Sequence, residues 1–116
     1  MPRKPTTQAL GDCYEAAAKY MMSNSGSKDL ILVHAEVMGQ GQIEGLTFGH
    51  AFIIDDMNVI DVSNGKNLVM PKTVYYAIGG IDFIGNEYRY NRKQLLDKIT
   101  TFGHWGPWEL ETKSGL

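Results

Sequence analysis

The chain has one cysteine, Cys13, and so cannot form an internal disulfide. At 116 residues and 43% hydrophobic composition it needs none, because a chain of this size buries roughly two-thirds of the surface its unfolded form exposes. No apolar run approaches the ~20 residues that span a bilayer, and Met1 to Leu10 lacks the apolar stretch of a secretion signal. The expectation is therefore a cytoplasmic protein without a membrane partner, in a reducing compartment that keeps a lone thiol free. Positive charge is also scarce, with 11 Lys and Arg against 13 Asp and Glu. The resulting field is weak and slightly negative, which disfavours phosphate backbones and makes nucleic acid an unexpected partner. Among Cys13, His34, His50 and His104 there is no Cys-x-x-Cys or His-x-x-x-His pair, which argues against a metal site. Gly39-Gln40-Gly41 lacks both the third glycine of a dinucleotide loop and the Lys-Ser/Thr of a phosphate loop, and no other cofactor motif is present. Repeats and low-complexity tracts are missing too. The chain reads as a flexible arm, residues 1–7, followed by one domain, residues 8–116.

What is present alternates between helical and strand patterns, the mark of an α+β domain. Asp12 and Glu15 stand at the two capping-box positions ahead of Tyr14, Ala17, Ala18 and Met21, which share one helical face. This predicts a helix from Cys13 to about Ser23. Leu30 to Met38 predicts a strand whose apolar face carries Ile31, Val33, Ala35 and Val37, with His34 and Glu36 on a partly wet face. Leu46, Phe48, His50, Phe52 and Ile54 mark one face of a second strand, and Val59 to Ser63 returns as a third. With Asp56-Met57 as the turn, Asp55 opposes Asn58 and Phe52 opposes Asp61, so His50 and Asp61 become diagonal neighbours on one face. Pro71 opens a short helix that Gly79-Gly80 stop, and Ile81 to Tyr90 reads as a strand bent at Gly85. Asn91 and Gln94 form a second capping-box pair before a helix that Gly103 ends.

Three residues carry chemistry. Cys13 opens a helix, where unpaired N–H groups and the positive dipole end favour a thiolate, although a lone cysteine is commonly a buried structural residue. His50 lies in an apolar strand, where both ring nitrogens need partners. A catalytic base meets that need by turning one nitrogen to a thiol and the other to a carboxylate. Asp61, between Ile60 and Val62, supplies the carboxylate, and its competing role is to cap the Ser63-Asn64-Gly65 loop. His104, beyond the last helix, is expected to be structural. The aromatic pairs Tyr75-Tyr76, Tyr88-Tyr90 and Trp105-Trp108 suit either a groove or the core.

The order Gln8-Ala9-Leu10-Gly11-Asp12-Cys13-Tyr14, then Gly49-His50-Ala51-Phe52, then Val59-Ile60-Asp61-Val62 resembles the papain-like superfamily of cysteine hydrolases. The resemblance implies an N-terminal helix packed on an antiparallel sheet, as in cores of the NlpC and transglutaminase type. It implies a Cys13-His50-Asp61 triad acting on an amide, isopeptide or thioester bond of a protein or peptide-like substrate, with Gln8 donating to the oxyanion. Gly49 to Asn64 and Gly103 to Trp108 also resemble segments of small uncharacterised bacterial and phage proteins. The alternative is a non-enzymatic interaction protein on the same scaffold, for instance a phage-encoded inhibitor of a host protein.

Overall fold

Strand β1 (Ile31–Met38) is the axis of the fold, because six of its eight residues are buried and it pairs on both sides. It runs antiparallel to β2 (Thr47–Asp55) and to β5 (Glu87–Tyr90). β2 pairs with β3 (Asn58–Asp61), and β3 with β4 (Leu68–Pro71), which gives one antiparallel sheet of order β4-β3-β2-β1-β5. The helices are α1 (Cys13–Ser23), α2 (Lys72–Gly79), α3 (Ile81–Ile84) and α4 (Arg92–Phe102). This computed structural model describes residues 12–24, 26 and 29–112.

Both faces of the sheet are covered. Ala17, Ala18 and Met21 of α1 and Leu95 of α4 pack with Leu32, Ala51, Ile53 and Ile60 on one face. Tyr76 of α2 and Ile81 of α3 pack with Val33, Ala35, Phe52, Ile54 and Val59 on the other. The half-wet face expected for β1 is therefore dry: His34 is 0% and Glu36 2% exposed. Glu36 tolerates this because Thr47 Oγ1 and Asn86 Nδ2 donate to its carboxylate. Among the described residues no helix is long and apolar enough to cross a membrane.

Two stretches differ from their sequence pattern. Leu68–Pro71, expected to run from loop into helix, forms the edge strand β4, where Pro71 ends the ladder opposite Asn58. Ile81–Ile84 is a helical turn instead of a strand, cut off on both sides by left-handed glycines, Gly80 at φ 60° and Gly85 at φ 71°. Ile81 then points into the core while Phe83 is left 90% exposed.

The two expected capping boxes part ways for a backbone reason. At Asn91 the chain is extended (φ −82°, ψ 180°), and the reciprocal bonds form, Gln94 N–H to Asn91 Oδ1 and Asn91 N–H to Gln94 Oε1, both 2.8 Å. Asp12 does occupy the N-cap of α1, but at φ −92°, ψ −15° it is already helical and its side chain makes no capping bond. Glu15 turns instead to Lys19, one turn on. Asn91→Ala should therefore cost about 1 kcal/mol, whereas Asp12→Ala should change little. Urea denaturation of the two variants checks this, and a larger loss in Asp12→Ala would contradict the assignment.

Candidate active site

The site grows from the β2–β3 hairpin. Asp56 takes the left-handed conformation (φ 59°) that aspartate tolerates, and the ladder pairs Asp55 with Asn58, Ile54 with Val59 and Ile53 with Ile60. This is the register read from the turn. It sets His50 and Asp61 on the same face, and His50 Nε2 lies 3.0 Å from Asp61 Oδ2.

Asp61 performs both roles weighed for it, one with each oxygen. Oδ1 accepts from the Ser63 N–H at 2.9 Å and the Ser63 hydroxyl at 2.6 Å, which fixes the turn at Ser63–Gly65. Oδ2 accepts from His50 and from the Tyr75 hydroxyl at 2.7 Å, with Lys66 Nζ farther off at 3.9 Å. Burial opposes the charge of a carboxylate that is 3% exposed, but the hydrogen bonds from His50 and Ser63 hold it well below the usual carboxylate range. Tyr75 was not singled out for this role by the sequence, where nothing separates it from Tyr76. In the fold Tyr76 faces the core and donates instead to Glu87.

Cys13 comes from the opposite face of the sheet. α1 packs against β2 and against the Ser63–Gly65 turn, so its first residue reaches the place where β3 leaves the ladder after Asp61. Gly49 permits this approach: a Cβ there would stand 2.5 Å from the Tyr14 hydroxyl. Cys13 is 7% exposed, lines the same cleft as His50, and acts on the ring to raise its pKa. Burial alone would lower the His50 pKa, but the hydrogen bond with Asp61 and the influence of Cys13 and of the Asp61 charge outweigh it and raise it to about 9. Cys13, His50 and Asp61 line one side of an open cleft of about 920 Å³.

Gln8 lies outside the described residues. His104 is exposed, and its bonds are local: its Nδ1 accepts from the Gly106 N–H at 3.1 Å and its carbonyl from Trp108 Nε1 at 3.0 Å. Among the described residues no three His, Cys, Asp or Glu side chains are grouped to hold a metal ion.

His34 is the second unusual histidine. Tyr14, Tyr90 and Trp108 surround it at ring-centroid distances of 4.8, 5.1 and 4.9 Å. Gly106, at φ 119°, closes the cage, since a Cβ there would lie 2.7 Å from His34 Cε1. Among the described residues neither ring nitrogen has a hydrogen-bond partner. Burial pushes the His34 pKa down to about 4, against a weaker opposing pull from Glu109. Trp108 and Tyr90 thus build core here and do not line a groove.

Comparison of the chain with protein-family models, with curated proteins and with solved structures gives no match.

The two histidines predict opposite pH limbs of stability. From 6.5 down to about 4 the unfolded chain takes up a proton that folded His34 refuses, so stability falls with acid. The contribution of His50 is fully present below 6.5 and is lost as pH rises through about 9. Each limb should amount to a few kcal/mol at most, on the order of 1.4 per pKa unit. Urea midpoints against pH should show His34→Phe flattening the acid limb and His50→Ala the alkaline one. Unchanged slopes would contradict these environments.

Proposed function

We propose that this chain is a small papain-like cysteine hydrolase or acyltransferase, acting on an amide, isopeptide or thioester bond through Cys13, His50 and Asp61. One observation carries the reading: His50 lies 3.0 Å from the Asp61 carboxylate in a cleft that Cys13 also lines, and both residues raise its pKa. A histidine filling a core needs neither partner in particular, whereas a nucleophile, base and orienting acid need this sequence of contacts. The order of elements adds support, with the cysteine at a helix start, the histidine on β2 and the aspartate on the adjacent β3.

In this reading His50 holds the proton that Cys13 gives up, and the Cys13 sulfur attacks the carbonyl carbon. The tetrahedral oxyanion is met by the Cys13 backbone N–H, with Gln8 as the second donor that the papain-like resemblance implies. His50 then passes its proton to the leaving group, and water or an acceptor amine releases the acyl group from Cys13. Asp61 holds the ring and balances the imidazolium. Tyr75 and Ser63 keep Asp61 in place, so they act as positioning residues.

The rival reading, a non-enzymatic binding protein, draws on exposed apolar side chains, Phe83 at 90% and Met57 at 73%. Thiol reactivity separates the two. Iodoacetamide should label Cys13 stoichiometrically at neutral pH, His50→Ala should slow labelling by about tenfold or more, and Asp61→Asn should slow it less. Circular dichroism should show all three proteins folded. A wild-type thiol that reacts no faster than free cysteine, or a His50→Ala profile unchanged with pH, would leave the binding-protein reading as the better one.

A further inference from the structure

Away from the three reactive groups, the walls of the cleft are mostly apolar, with aliphatic and thioether side chains joined by the rings of Tyr14, Phe48 and Tyr75. Met38 comes from the end of β1, Ile43 from the turn after it, Leu68 and Met70 from β4, and Ile78 from α2. Some polar groups in these walls are committed to the protein itself, while the side chains of Asn64 and Thr112 also line the cleft. The Gln40 side-chain amide donates to the carbonyls of Met38, at 3.3 Å, and of Ile78, at 3.0 Å. The Ser63 N–H and hydroxyl both serve Asp61. Lys66 stands about half exposed beside Asp61.

Such a lining discriminates between acyl groups. A peptide entering it would bring a backbone donor and acceptor with every residue, and each one buried without a partner is costly. An unbranched apolar chain brings none and gains with each methylene it buries. Met38 and Met70 adapt their shape to a flexible chain more readily than branched residues do. A volume of about 920 Å³ is also in the range of small-molecule sites.

We infer that the cleft holds an apolar acyl chain and that the substrate is an acyl thioester, an inference that rests on the triad reading above. The Cys13 sulfur, its proton held by His50, attacks the thioester carbonyl carbon. The bond from that carbon to the leaving sulfur breaks, and the leaving thiolate takes the proton from His50, so that Cys13 carries the acyl group. Water then attacks, gives a proton to His50 and releases the fatty acid, which returns the Cys13 thiol. An amine in place of water gives the amide.

The test uses the full chain with acetyl, butyryl and octanoyl thioesters of N-acetylcysteamine. Thiol release gives kcat/KM, intact mass detects acyl-Cys13, and Cys13→Ser corrects for spontaneous exchange. The octanoyl thioester should exceed the acetyl one by about tenfold or more, well within the roughly fourfold per methylene that full burial supplies. Met70→Trp, which fills the cleft, should lower octanoyl turnover more than acetyl turnover, so that the preference for the longer chain shrinks by about tenfold. Ile78→Lys, at a half-exposed position that tolerates change, should do the same if Met70→Trp does not fold. A flat or falling dependence on chain length overturns the inference, as does absence of acyl-Cys13 with every thioester. In both cases His50-dependent labelling by iodoacetamide would show that the triad itself survives. Loss of that labelling as well would remove the triad reading with it.

Discussion

A carboxylate that is almost wholly enclosed has to be surrounded by donors, and the arrangement around Asp61 follows from that requirement. Its four close donors come from three directions: the Ser63 N–H and hydroxyl from the turn that follows β3, His50 from β2, and Tyr75 from α2. Removing any of them exposes the others to an imperfectly paired charge. The same group therefore fixes a loop, a histidine and a helix relative to one another. The cleft lies where these elements meet, because a turn tied down by Asp61 leaves room for the start of α1 beside β2.

The sheet explains how a cysteine from one face meets a histidine from the other. β1 is buried on both sides by helices and by the C-terminal aromatic segment, so the centre of the sheet is closed. The start of α1 approaches β2 over Gly49, where the Tyr14 hydroxyl lies against the strand. The cage around His34 supports the same helix from below, since Tyr14 is one wall of it and the Gly106 turn another. Stability is thus shared between two histidines with opposite environments. His34 is kept neutral by apolar rings, while His50 is kept charged by its two partners.

Much of the site was legible in the sequence because it depends on local rules. Asp55-Asp56 announced a turn, strand alternation then set the register, and register alone put His50 beside Asp61. The Asn91–Gln94 box was legible for the same reason. The Asp12–Glu15 pair was not, because residue identity does not fix the backbone angle on which capping depends. β4 escaped notice because four residues ending in proline carry no pattern of their own and are strand only through β3. The burial of His34 depends on Tyr14, Tyr90 and Trp108 and that of Glu36 on Thr47 and Asn86, from separate stretches of chain, and the role of Tyr75 on which side of α2 faces Asp61. Neither is written in nearby sequence.

The central claim is that His50 is coupled to both Asp61 and Cys13, and imidazole NMR reads that coupling directly. In the intact protein the His50 ring should titrate near pH 9, and in Cys13→Ser its midpoint should fall, since the influence of Cys13 is removed while Asp61 remains. A His50 that titrates near the ordinary 6.5 in both proteins would contradict the account.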